Sequence, residues 1–133
     1  MKRATLTIDT GSRHGLFDLT AECASFVAGS GDGLLNVYVP HATAGLVVIE
    51  LGSGSDEDLS ATLDRLLPRD DRWVHRHGSA GHGADHVLPL LAPPSLDVPI
   101  ADGRLMLGTW QSIALLDTNV DNPSRTVILT LMT

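Results

Sequence analysis

The chain has 133 residues, 43% of them hydrophobic and 19% charged, which is the size and composition of a single globular domain able to bury its own core. Nine Lys and Arg against sixteen Asp and Glu give a net charge of −7, so no basic face can be assembled to neutralise nucleic-acid phosphates or to dock on anionic lipid. A single cysteine, Cys23, excludes intrachain disulfides and thiolate metal clusters, and a single lysine, Lys2, leaves no interior Schiff-base candidate.

Residues 4–9 alternate as Thr5-Leu6-Thr7-Ile8, which predicts a half-buried strand, and Asp9 falls where a signal peptide would be apolar. With no run near the roughly 18–20 apolar residues of a membrane span, the expectation is one soluble, cytoplasmic domain over residues 1–133. Gly15 to Leu19 reads as a second short strand. Thr20 opens a short helix that Gly29-Ser30-Gly31 stops, with Cys23 a small buried residue on it. Leu34 to Val39 predicts a strand broken by Pro40, and Ala44 to Ile49 a second apolar strand ending at Glu50.

Ser55 and Asp58 have capping-box spacing, and Leu59, Leu63, Leu66 and Leu67 place one buried face on the helix that follows, which Pro68 ends. Residues 69–85 lack apolar periodicity. Ala84 to Leu91 reads as a short helix limited by Pro89, and Ser95 to Ile100 as a strand. Asp102-Gly103 signals a hairpin into Arg104 to Leu107, and Trp110 to Leu116 and Thr126 to Met132 complete a strand-rich end. Strands outnumber helices and short turns join them, so the fold class is α+β, mostly antiparallel, with two or three helices.

Four of the six histidines lie between His75 and His86, where even scattering would place about half a histidine in a window of roughly 12. His75-x-His77 puts two imidazoles on one face of an extended segment, and His82-x3-His86 does so on a helix. Neutral imidazole is the commonest metal ligand, and three with an open fourth position form a catalytic zinc arrangement. The same histidines would also be accommodated as solvated groups of a polar, glycine-rich loop. His14, beside Gly15, reads as a surface residue. His41 lies between two strands, and nothing in its spacing, or in that of Glu50, brings either to the cluster.

Three segments together resemble one family. His41-Ala42-Thr43-Ala44-Gly45-Leu46, followed by Glu50, resembles a His-Thr-Ser/Thr-Ala-x-Leu motif with its following Glu. Trp73-Val74-His75 and Ala84-Asp85-His86 resemble aromatic-x-His and Asn-x-x-x-His elements. Gly103 to Gln111 resembles the signature whose most diagnostic piece is Gly108-Thr109-Trp110-Gln111. In order and separation the chain is similar, from about residue 5 to 132, to the YjbQ-type family, whose members are often labelled secondary thiamine-phosphate synthase enzymes.

The resemblance implies a compact α+β subunit assembling as a homotrimer, with a metal site acting on a small, phosphorylated substrate. Carried over residue by residue, the metal ligands are His41, His75 and His86, with zinc the expected divalent ion. Glu50 takes the acidic, catalytic position, and Thr43, Trp110, Gln111 and Arg125 line the substrate site. For Trp110 core packing, and for Gln111 a buried amide holding a turn, remain the alternatives. Ala42 departs from the motif by lacking a hydroxyl, His82 stands where Asn is common, and Ala92-Pro93-Pro94 replaces a Leu-Gly turn. His77 and His82 therefore compete for places in the ligand set. A three-histidine site suits a transition metal better than the Mg²⁺ that pyrophosphate chemistry calls for. The competing class is a trimeric protein that binds metal or a small molecule without catalysis.

Overall fold

Alternation of apolar and polar residues resolves into eight strands and three helices in the computed structural model, which describes residues 1–133. In chain order these are β1 (Lys2–Asp9), β2 (Gly15–Asp18), α1 (Thr20–Val27), β3 (Gly33–Tyr38), β4 (Ala44–Ile49) and α2 (Ser55–Leu66). There follow α3 (His82–Val87), extended by a 3₁₀ turn at Leu88–Leu90, then β5 (Ser95–Ala101), β6 (Arg104–Leu105), β7 (Ser112–Asp117) and β8 (Ser124–Met132). The larger sheet has the order β1-β8-β3-β5-β6 and the smaller β2-β7-β4, and every pairing is antiparallel. The α+β reading and its antiparallel sheets are thus realised.

The two sheets enclose the main core. Leu35 and Val37 of β3, Val98 and Ile100 of β5, and Val127, Leu129 and Leu131 of β8 meet Ala44 and Leu46 of β4 and Ile113 and Leu115 of β7. Leu19, Cys23 and Val27 bring α1 into the same cluster, where burial raises the Cys23 thiol to about 12 and leaves it inert. On the other face of the small sheet, Leu116, Leu88 and Ala92 form a second cluster with Leu59, Leu63 and Leu67 of the α2 region. β7 is therefore covered on both faces, which is why Ile113 to Leu116 is an unbroken apolar run rather than an alternating one.

Several expected details change. Gly54, not Ser55, precedes the first turn of α2, with φ 95° and no side-chain capping bond, so the Ser55–Asp58 capping box does not form. Leu66 is 57% exposed, because only Leu59, Leu63 and Leu67 face the second cluster. α3 begins at His82 rather than Ala84, and β6 stops at Leu105, short of Leu107. The Asp102-Gly103 hairpin forms as expected, with φ of 50° and 70°, the double positive φ of a type I′ turn. No helix is long and apolar enough to cross a membrane.

One end of the main core is closed by charge rather than by hydrocarbon. Arg125 continues the inward-facing row of Val127, Leu129 and Leu131 and is 2% exposed, while Asp117 at the end of β7 is fully buried. The guanidinium forks onto the carboxylate, Nε donating to Oδ2 at 2.7 Å and Nη2 to Oδ1 at 2.9 Å. Nη2 also donates to the Thr43 hydroxyl at 2.9 Å, just before β4. Removing one partner strands a buried charge. Arg125→Ala is expected to cost about 3–5 kcal/mol of stability, read as a lower urea midpoint, whereas Arg3→Ala on the exposed edge of β1 should change it by less than about 0.5 kcal/mol.

Candidate metal centre

The centre is built around α3, and glycines allow it. Gly81 precedes the helix with φ 76°, in the left-handed region. Gly83 sits inside the helix, where a glycine costs roughly 1 kcal/mol relative to alanine. Its reason is close approach: a Cβ there would lie 2.4 Å from the Trp73 Cβ and 2.5 Å from the His75 carbonyl oxygen. Trp73 is fixed over this spot by its indole N–H, which donates to the Pro68 carbonyl at 2.8 Å. The missing side chain at Gly83 thereby lets the 73–77 segment lie against α3 and bring its two histidines to those of the helix.

His75, His77, His82 and His86 converge. One ring nitrogen from each falls within 4.8 Å of the others, and ring centroids are separated by 4.0–6.1 Å. The Nε2 atoms of His82 and His86 are 2.9 Å apart. A tetrahedral ion with bonds of ~2.0–2.1 Å needs donor atoms roughly 3.3 Å apart, so small ring movements would fit the group to one ion. The donor set contains neither thiolate nor carboxylate, which matches zinc or another imidazole-binding transition metal and not Mg²⁺ or Ca²⁺. His82 is buried and His86 half-buried, while His75 and His77 are exposed, so the helical pair forms the fixed floor and the loop pair the outer wall. The adjoining cleft, of about 130 Å³, is lined by His75, His77 and His82 with Arg76, Ser79 and Asp71 among their neighbours.

A polar layer, buried at Asp85 and Asn119 and exposed at Asp121, supports the floor. Asp85 of α3 is fully buried and ion-paired with Arg69, and it accepts from the Thr118 hydroxyl at 2.7 Å and Asn119 Nδ2 at 2.9 Å. Asp121 Oδ2 lies 3.0 Å from His82 Nδ1 and accepts from the Ser79 amide and hydroxyl, both at 3.1 Å. The loop carrying these groups winds as a ladder of side-chain turns: Asp117 Oδ1 accepts from the Asn119 amide and Asn119 Oδ1 from the Asp121 amide, each at 3.0 Å. Asp85, Asn119 and Asp121 were not among the expected site residues. The alternation of short polar side chains in Asp117-Thr118-Asn119-Val120-Asp121 is the signal that marks this ladder.

Of the residues expected at the site, His75 and His86 meet, joined by the competitors His77 and His82; His41 is not among the four. His41 Nε2 instead accepts the Thr126 amide at 2.9 Å, and burial and the nearby Arg125 charge lower its pKa. Thr43 and Arg125 are buried with Asp117, so their polar atoms are engaged inside the protein rather than offered to a ligand. Register separates the rest. Ala44 pairs with Asp117 at one end of β4–β7, and Ile49 with Ser112 at the other. Glu50, Trp110 and Gln111 adjoin that second end, roughly 17 Å away at ~3.3 Å per residue. Glu50 accepts from the Ser53 hydroxyl at 3.0 Å. Trp110 is 72% exposed, which removes the core-packing alternative, and Gln111 does hold a turn, accepting from the Gly108 amide at 2.8 Å, though at the surface.

An antiparallel two-sheet domain carrying an all-imidazole cluster on a glycine-rich helix and loop defines a small α+β protein with a candidate metal site. Residues 4–133 match the family model described as UPF0047 protein YjbQ-like. The chain is 57% identical over 129 residues to the UPF0047 protein Rv2556c of Mycobacterium tuberculosis, covering 97% of this chain and 96% of the relative. It is 34% identical over 114 residues to the UPF0047 protein YugU of Bacillus subtilis, covering 82% and 83%. Among solved structures, the protein APE1520 of Aeropyrum pernix superposes with a TM-score of 0.86 at 32% identity, covering 99% of this chain and 98% of that one. The chain belongs to the YjbQ/UPF0047 family.

Protonation sets the working range of the cluster. Partial desolvation and the neighbouring imidazoles His77 and His82 hold His75 below the usual imidazole range, and burial with the same kind of repulsion does so for His86. Both are thus neutral, with a free lone pair, at pH 7. Because these folded values lie below the unfolded value near 6.5, their share of stability is present above about pH 6.5 and is lost as pH falls through the depressed folded values. Zinc uptake is expected to follow the same sign: flat from pH 8 to 7, then falling as the pH drops through the depressed values of His75 and His86 and protons compete for those two rings, measured by equilibrium dialysis at fixed total zinc.

Proposed function

We propose that this protein is a metal-dependent enzyme whose His75, His77, His82 and His86 hold one divalent transition-metal ion, zinc being the best match, and which acts on a small anionic substrate. The observation that carries the reading is the convergence of four imidazole nitrogens within 4.8 Å, two of them fixed on α3. A metal held there would supply Lewis acidity toward a substrate oxygen or a water. His82 and His86 would hold the ion from the helix, and the exposed His75 and His77 would close over it or yield a position to substrate. Arg76 lines the cleft, is oriented by its Nε donating to the Trp73 carbonyl at 2.9 Å, and has no carboxylate partner, so its terminal N–H groups are free to meet an anion.

Thiamine-phosphate synthesis fits this site only as a side reaction. It would need several cations around a pyrophosphate, yet Arg69, Arg72 and Arg125 are each paired with an aspartate. A cleft of about 130 Å³ is also well below the roughly 300–1,000 Å³ of sites that enclose ligands of that size. The working state in this reading is a homotrimer. The exposed Tyr38, Met106 and Trp110 are apolar surface of the kind an interface covers, and Glu50, Trp110 and Gln111 would reach a histidine centre only from a neighbouring subunit. A second reading, a non-catalytic metal-binding protein, is favoured by the count of four protein donors, which would fill a tetrahedron.

About one zinc per chain is expected in chelator-free protein by elemental analysis, lost in His82→Ala and His86→Ala and retained in His41→Ala and Glu50→Gln. Metal lost in His41→Ala and kept in His82→Ala would overturn the ligand set. X-ray absorption separates the two readings by the number of imidazole rings counted from their outer-shell scattering: three for the enzyme, with His75 or His77 having yielded its position to an exchangeable ligand, and four for the binding protein.

A further inference from the structure

We propose that Asp121 is the positioning residue that decides which ring nitrogen of His82 is offered to a metal, a role that rests on the metal-centre reading above. Two side chains of opposite hydrogen-bonding character face the same atom. His82 Nδ1 lies 3.0 Å from Asp121 Oδ2, a pure acceptor when ionised, and 2.9 Å from Asn119 Nδ2, a pure donor. The amide cannot be turned to remove the conflict. Asn119 Oδ1 already accepts from the Asp121 amide at 3.0 Å and from Asn122 Nδ2 at 3.1 Å, and Nδ2 donates to the buried Asp85 at 2.9 Å.

His82 therefore chooses between two tautomers. With the proton on Nδ1, it donates to the Asp121 carboxylate and leaves Nε2 bare toward His86 and the centre of the cluster. With the proton on Nε2, Nδ1 accepts from Asn119 and the nitrogen facing the cluster is blocked. A charge-assisted bond to a carboxylate is roughly twice as strong as a neutral one, so Asp121 prevails. Three donors reach the one oxygen, Asp121 Oδ2: the Ser79 amide, the Ser79 hydroxyl and His82 Nδ1. The contact depends on a glycine as well, since a Cβ on Gly78 would stand 2.7 Å from that oxygen and 3.0 Å from His82 Nδ1. Gly78 lets the loop press the carboxylate against the ring, and the arrangement is the carboxylate–histidine pairing that orients metal ligands elsewhere.

The test uses the full chain labelled with ¹⁵N, metal-free at pH 8, with His82 ring nitrogens read by long-range ¹⁵N–¹H correlation, and zinc affinity measured in parallel by competition with a chromophoric chelator. Wild type is expected to carry the His82 proton on Nδ1. Asp121→Ala should move it to Nε2, with Asn119 donating into Nδ1, and weaken zinc binding about 10–100-fold. Ser79→Ala, which loses a loop hydrogen bond but keeps the carboxylate, should leave the tautomer unchanged. This separates ring orientation from loop anchoring and remains readable if Asp121→Ala unfolds, as does Asp121→Asn, expected to give a mixture of tautomers. Zinc uptake by a wild type already protonated on Nε2, or a tautomer unmoved in both Asp121 variants, would overturn the role of Asp121 and leave the metal centre standing. Failure of wild type to take up zinc would overturn the metal reading and with it the proposal.

Discussion

The buried ion pair between Arg125 and Asp117 is the constraint on which the site depends. Two strands from different sheets, β8 and β7, are tied there across the end of the core, and Thr43 ties in the start of β4. Such a pair need not stabilise the fold more than a well-packed apolar pair would, because desolvating both charges offsets most of their attraction. What it contributes is position. Asp117 Oδ1 accepts from both Arg125 and the Asn119 amide, so the carboxylate that closes the core also starts the turn ladder leading to Asn119 and Asp121. No buried side-chain nitrogen or oxygen is left without a partner, so the buried part of the layer, Arg125, Asp117, Asn119 and Asp85, is held by satisfied hydrogen bonds.

The histidine cluster lies one step outside this layer and inherits its rigidity unequally. His82 and His86 stand on α3, whose Asp85 is gripped by Arg69, Thr118 and Asn119. His75 and His77 stand on irregular chain, held to α3 by backbone approach at Gly83 and by the Trp73 indole. A preformed floor with a looser outer wall suits an ion that must enter from water and exchange a ligand, since the ordering cost falls mostly on two exposed side chains.

The sheets were legible because period-two alternation and turn chemistry act locally. Residues 4–9, Asp102-Gly103 and the β8 run each carry their own structure in neighbouring residues. The histidine cluster was legible as composition, and the spacing of His82 and His86 as one face of a helix. The capping box failed because Gly54 could take the left-handed conformation that Ser55 would resist, which ended the loop one residue earlier. The grouping of the imidazoles was harder to read. Motif resemblance joined His41 to His75 and His86, whereas the approach of His77 and His82 to that pair depends on a glycine that lets two segments touch, a long-range steric fact without local periodicity. The supporting aspartates and asparagine were hidden for the same reason: each reads alone as a turn residue, and only the fold stacks them beneath α3.

The separation of the two ends of β4–β7 bears on how the family's motifs are used. Glu50, Trp110 and Gln111 gather by register at one end, and the imidazoles with Asp121 at the other. A strand cannot bend one end onto the other, and the small sheet is buried on both faces between the main core and α2. If the two groups serve one reaction, they must therefore meet between subunits, where the exposed indole of Trp110 would be covered. If they do not, Gly108-Thr109-Trp110-Gln111 is a surface turn held by Gln111. Either way the imidazole cluster stands on elements of a single chain, so its geometry and the state of His82 are properties of the subunit.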